Sequence, residues 1–196
     1  MKLFTCLVIL LMCAQTTFSQ EKTFDSFNLQ RQKINKTGFR ILTAYTAANI
    51  IYGSIAASHS SGSDKYFHQM NVIWNGITLG IVGVTFLTAK KEGVATYGSS
   101  LRLQNNVEKL FLFNAGLDLT YIAGGAYLKE HSFNSASNPN KLKGYGESIM
   151  LQGGVLFLFD SIMYLVHTHH GRDLYKMSEK IKVATTASGT GIIIRL

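Results

Sequence analysis

Tyr66-Phe67-His68-Gln69-Met70-Asn71-Val72-Ile73-Trp74-Asn75, continued by residues 76–89, decides how the chain is read. Polar and aromatic side chains crowd its head, whereas Met70–Ala89 is twenty residues without one charge. A hydrocarbon core of about 30 Å takes roughly 20 apolar residues at about 1.5 Å each, so this run is long enough to cross a bilayer as a helix. The polar head then sits at one mouth of a spanning helix.

Working outward, three more runs of the same kind appear. Residues 41–57 are apolar or small, interrupted by Thr43, Thr46, Asn49 and Ser54, and the Ser- and Gly-rich stretch 58–64 ends them. Residues 110–128 carry one charge, Asp118, and residues 149–166 carry one, Asp160. Polar segments separate the runs, with Lys90-Lys91-Glu92-Gly93 closing the second and a loop around Asn138-Pro139-Asn140 parting the third from the fourth. The expected fold class is all-α: a four-helix transmembrane bundle running up-down-up-down over residues 38–171. A polar surface helix at 20–37 precedes it, and a basic tail at 172–196 follows. The last residues, 183–196, alternate small and β-branched types and predict a short β-hairpin or extended arm.

Composition agrees with long ordered helices. Of 196 residues, 46% are apolar, 15% are charged and one is proline, which disfavours disorder; the plain alternative is a soluble all-helical domain. The net charge of +8 invites a nucleic-acid reading, but the Lys and Arg lie between the apolar runs, as when charges are excluded from hydrocarbon. No nucleic-acid partner is expected; the bilayer is.

Residues 1–19 have the order of a secretory signal peptide: Lys2, an apolar run from Leu3 to Ala14, and small Thr17 and Ser19 before a cut at Gln20. Met12 is too large for the residue a lipoprotein signal needs before Cys13. Cys6 and Cys13 are the only cysteines, so a mature chain has no thiol for a disulfide, a metal or nucleophilic attack. Cleavage places Gln20 outside the cytoplasm, which for a bacterial protein means insertion in the inner membrane with both ends outside. The charge bias points the other way: segments 20–37, 90–109 and 167–196 hold thirteen Lys and Arg, against four in 58–69 and 129–148. The signal peptide is preferred because it acts directly in export, whereas the charge bias is a statistical tendency.

The spans repeat. Asn49-x-x-Tyr52 in the first matches Asp118-x-x-Tyr121 in the third, and Asn75 and Gln152 fall in the first turns of the second and fourth. Two hairpins, roughly 38–93 and 107–171, are read as an internal duplication. The helical rise puts Asn49 and Asp118 about 12 Å deep, Asp160 about 9 Å, and Asn75 and Gln152 about 21 Å, giving two polar layers. Carboxylates are costly in a span, so the two aspartates should face inward, close together, with at least one keeping its proton near neutral pH. Asn49 would then donate to the ionised partner, and Tyr52 and Tyr121 would carry hydrogen bonds toward Asn75 and Gln152. His68 and Asn71 would form the far mouth. The candidate binding residues are therefore Asn49, His68, Asn71, Asn75, Asp118, Gln152 and Asp160. Against this stands the commoner role of such side chains, hydrogen-bonding glue worth about 1 kcal/mol each. Gly76-x-x-x-Gly80, Gly83, Gly116, Gly124-Gly125 and Gly153-Gly154 are read as letting helices approach, since none has the strand–loop–helix setting of a phosphate loop.

His167-Thr168-His169-His170 suggests a metal, but it lacks a Glu-x-x-His partner spacing and lies at the water boundary, so solvated histidines are the reading. No catalytic triad or paired-glutamate pattern is present; no enzyme, cofactor or metal is expected.

Tyr66-Phe67-His68-Gln69-Met70-Asn71 with Trp74-Asn75, preceded by Thr37-Gly38 and Ala48-Asn49-Ile50 with Gly53, resembles a family of small uncharacterised membrane proteins common in Bacteroidetes, over roughly residues 30–170. The resemblance implies four helices and an important head at 66–75, and it implies no substrate. A structural or interaction protein, with self-association or a partner membrane helix, is the first expectation. A carrier or sensor of a small polar ligand or proton is the second.

Overall fold

The computed structural model describes the backbone of residues 2–88, 93–186 and 189–194, and the side chains of 24–88 and 93–176. The signal-peptide reading falls on side chains outside these described residues. Four long helices form the chain: α1 (Lys2–His59), α2 (Gly62–Leu87), α3 (Tyr97–His131) and α4 (Pro139–Lys180), with one 3-10 turn, Ser132–Asn134, before α4. The chain is all-α in class. Two strands end it, β1 (Ile181–Thr186) and β2 (Gly189–Ile194), paired antiparallel.

Local chemistry sets the breaks. Between α1 and α2 the chain turns at Ser60-Ser61, and Gly62 takes φ 59°, a left-handed conformation that glycine adopts freely. Pro139 stands in the first turn of α4, where its missing N–H costs nothing, and Asn138 before it takes φ 56°, which asparagine tolerates. The expected loop 129–148 is accordingly short, because α3 runs to His131 and α4 starts at Pro139.

Two compact units result, and α1, α3 and α4 contribute to both. The four-helix unit comprises residues 35–91 and 109–165, two antiparallel helical hairpins. Its helices meet closely at a few glycines. A Cβ on Gly125 would come within 2.7 Å of the Gly146 carbonyl oxygen, and one on Gly53 within 2.9 Å of Val72. Gly144 sits against the backbone of Ser63 and Phe67, and Gly153 against the Asp118 carbonyl. The glycine expectation needs correction here. Gly76, Gly80, Gly83, Gly116, Gly124 and Gly154 have nothing among the described residues within 4 Å of a Cβ position, so of the glycines singled out from the sequence only Gly125 and Gly153 mediate close approach there. Spacing alone does not say which side of a helix meets a neighbour.

The second unit, over the described side chains, is built from α1 at 24–34, α3 at 97–108 and α4 at 166–176. Segment 20–37 belongs to α1, and residues 97–109 lead without a break into the third run. Both carry buried polar side chains: Asn28 and Arg31 on α1, Ser100 and Gln104 on α3. His167 is fully buried, not solvated.

Two helices, Gly62–Leu87 and Pro139–Lys176, are long and apolar enough to cross a membrane. The other two expected spans are diluted by polar residues, Tyr45, Thr46 and Asn49 in α1 and Asn114 and Asp118 in α3. Of these Thr46 and Asp118 are buried and the others half-buried.

Candidate functional site

Each helix of the four-helix unit turns a stripe of residues three or four apart toward the interior: Gly38, Leu42 and Thr46 with Gly53 on α1; Asn71, Asn75 and Val82 on α2; Phe111, Ala115, Asp118 and Gly125 on α3. On α4 the buried positions include Gln152, Gly153, Asp160 and Met163. Several of these are polar, and they gather in two places.

The first is an amide cluster. Asn49 and Asn71 stand eleven residues either side of position 60, so an antiparallel hairpin brings them level, and Asn71 Nδ2 donates to Asn49 Oδ1 at 3.2 Å. Asn75 Nδ2 donates to Asn71 Oδ1 at 2.9 Å and to its carbonyl at 2.8 Å. Gln152 Nε2, from α4, donates to the same Asn71 Oδ1. Tyr45 hydroxyl donates to Gln152 Oε1 at 3.1 Å, and Asn49 Nδ2 donates to the Tyr45 carbonyl at 2.9 Å. Asn71 is thus the hub joining α1, α2 and α4, and it is 3% exposed.

The second is the pair Asp118 and Asp160, whose carboxyl groups come together on the wall of one cleft. The register explains how they meet. Gly125 faces Gly146 and the Asp118 carbonyl faces Gly153, which leaves Asp160 two turns beyond the level of Asp118. Side chains on a helix lean toward its N-terminus, and in an antiparallel pair the two leans converge and close that gap. Each aspartate has the other as its charged neighbour, with no basic group beside it among the described residues. Asp118 Oδ2 is buried without a hydrogen-bond partner among the described residues. Both carboxyls line a cleft of about 370 Å³ walled by Phe39, Phe111 and Phe159, with Thr78 and Asn114 as further polar groups.

The candidates therefore separate differently from the depth estimate. Asn49 belongs with Asn71, Asn75 and Gln152, not with the aspartates, because the hairpin turn and not the start of the apolar run sets its level. Tyr52 and Tyr121 do not extend the path inward. Tyr52 is 64% exposed and edge-on to His68 at 5.6 Å, and Tyr121 is edge-on to Trp74 at 4.8 Å. His68 lies against Tyr52 and Phe67, its Nδ1 buried with no hydrogen-bond partner among the described residues.

In the three-helix unit, Asn28 Nδ2 donates to Ser100 Oγ at 3.0 Å and Arg31 Nη1 to Asn28 Oδ1 at 2.8 Å. Gln104 Nε2 donates to the His167 carbonyl at 2.7 Å and to Glu108 Oε1 at 2.9 Å. Burial, then the nearby His170 and Arg31, push His167 down to about 4, so its ring is neutral at pH 7. Burial also lowers His170, which stacks on Phe27 at 4.1 Å. The metal temptation at 167–170 thus resolves into one buried ring and one packed against an aromatic.

A profile for a family of unknown function, DUF6992, matches residues 41–161, which take in all seven candidates and end one residue past Asp160. The chain belongs to that family. No curated protein and no solved structure matches it. The DUF6992 match covers most of the four-helix unit and residues 92–108 of the other, so the amide cluster, the aspartate pair, Ser100 and Gln104 are inside the matched region, whereas Asn28, Arg31 and His167 are outside it. Asn28, Arg31, Ser100, Gln104 and Tyr45 escaped the sequence reading. A signal for them existed: stepping back from Asp118 by threes and fours through Ala115 and Phe111 reaches Gln104 and Ser100 on the same stripe.

Proposed function

We propose that the chain is a four-span integral membrane protein, exported by its signal peptide into a bacterial inner membrane, that binds a proton or small ligand at Asp118 and Asp160. The observation that carries the membrane reading is the polarity of the four-helix unit. Its surface presents Ile81, Phe113 and Leu165, each more than 60% exposed, while Asn75 and Gln152 inside are 1% exposed. A soluble bundle has the reverse arrangement, whereas in lipid the apolar surface has no reason to hide and buried polar groups bond across helices. Carbonate extraction tests this: the mature chain stays in the pellet, and its release to the soluble fraction removes the membrane reading.

The binding reading rests on the difference between the two polar clusters. Every amide in the first is engaged with a neighbour, which suits a structural core. The aspartate pair keeps an unpartnered oxygen beside a cleft, an expensive arrangement that packing alone does not require. Infrared difference spectra of the chain in lipid, across a pH titration, follow the pair directly. A protonated-carboxyl band near neutral pH that disappears in Asp118→Asn/Asp160→Asn supports the reading; both groups ionised at pH 6 would end it.

The second reading, a structural or interaction protein, is favoured by the open face of α2, where Gly76, Gly80 and Gly83 meet nothing. A second copy or a partner helix would pack there. In that case the double aspartate variant works as well as the native chain, and crosslinking between cysteines placed at Gly80 captures the partner.

A further inference from the structure

We infer that the cleft at Asp118 and Asp160 takes a protonated apolar amine, an organic monocation with an aromatic or aliphatic body. The inference rests on the reading of this pair as a binding site and adds the class of ligand. Three independent features of the cleft select it.

The first is charge. Two carboxyls on the wall of one cleft carry net negative charge once either ionises, and no basic side chain neighbours either of them among the described residues. A buried uncompensated charge is costly, and one positive charge at that point removes the cost. A dication would overcompensate and an anion would be repelled. The second is hydrogen bonding. Asp118 Oδ2 is an acceptor with no donor, in a residue 3% exposed, so the cation that fits best brings an N–H. A protonated amine does so, whereas a quaternary ammonium does not.

The third is the wall. Phe39, Phe111 and Phe159 form an arc, with ring centroids 6.5 Å apart between the first two and 6.4 Å between the last two. Aromatic faces attract a cation and shelter its apolar body. The cleft is also lined by Ile81, Leu110 and Leu117, all exposed, so most of what a ligand meets beside the carboxyls is apolar. A volume of about 370 Å³ lies within the range usual for small-molecule pockets.

Phenethylammonium is a suitable probe, with 2-phenylethanol as its neutral isostere and phenylacetate as an anion of similar size. Binding is measured by isothermal titration calorimetry on the full chain in phosphatidylcholine nanodiscs, with protein-free nanodiscs subtracted. The expected result is saturable binding of the ammonium alone, weakened at least about tenfold in Asp118→Asn and in Asp160→Asn. Phe159→Leu keeps both carboxyls and weakens it about threefold. An unchanged thermal midpoint in each variant separates lost binding from lost folding. Equal binding of 2-phenylethanol, or ammonium binding that survives both aspartate substitutions, overturns the proposal, as does no binding above protein-free nanodiscs. If the probe fails while the infrared band of the pair titrates near neutral pH, the amine class falls and the proton-binding reading stands.

Discussion

The amide cluster and the aspartate pair occupy the interior of one four-helix unit, yet they stand in opposite energetic positions. Around Asn71, donors and acceptors from three helices are matched, and each bond made in a low-dielectric interior is one that cannot be exchanged for water. Around Asp118 and Asp160 no basic group stands among the described residues, and Asp118 Oδ2 has no hydrogen-bond partner there. The comparison teaches that buried polar residues are not one class. A matched set holds helices in register, and an unmatched one is a cost that something outside the fold must justify.

That contrast makes unequal demands on mutants. The largest effect is expected at the hub. Asn71→Leu leaves Asn49, Asn75 and Gln152 short of a partner and should cost about 2–4 kcal/mol in thermal or denaturant unfolding in micelles. A loss below about 1 kcal/mol would show that the amides do not hold the bundle together. Gly125→Val forces α3 and α4 apart, since a Cβ meets the Gly146 carbonyl oxygen and Met150 amide nitrogen at 2.7 Å. The expected cost is about 1–3 kcal/mol, with Gly80→Val on the open face as the silent control.

The polar interior of the three-helix unit gives a pH-dependent case. His167 stays neutral in the folded chain down to about 4, while unfolded it would protonate near 6.5. Between those values the unfolded state binds the extra proton, so this contribution to stability is whole above pH 6.5 and shrinks as pH falls toward 4. Amide-exchange protection at Gln104 and His167 should decline from pH 7 to pH 5, and His167→Gln should flatten the decline.

Tyr45→Phe removes one bond at the edge of the amide cluster, to Gln152, for about 0.5–1 kcal/mol. The smallest effect belongs to the other cluster. Asp118→Asn/Asp160→Asn replaces an unbalanced charge with amides that can bond to each other, and stability should change by less than about 1 kcal/mol, or rise. If instead it falls as far as in Asn71→Leu, both clusters are structural and the distinction between them collapses.

The inward direction of Asn75, Asp118, Gln152 and Asp160 was legible in the sequence, because a polar side chain in a long apolar run has few acceptable places. The partners were not. Asn49 was assigned to the aspartates because depth was counted from the start of each apolar run, while the chain pairs residues by distance from the hairpin turn at 60–61. Arg31 and Gln104 looked like exposed polar residues because their segments are mixed in composition. Only a neighbouring helix makes a mixed segment bury one face.

By itself, the order of apolar runs, polar breaks, Gly62 and Pro139 determined four long helices and an all-α class, because helix length and helix ends are local properties of backbone and side-chain chemistry. Tertiary structure alone decided the rest: that Asn71 became a hub, that Gly125 packs while Gly80 stays open, and that Asp118 and Asp160 meet beside a cleft. Rotation about each helix axis and the axial shift between neighbours are settled by packing, and single-residue spacing within one helix carries no record of them.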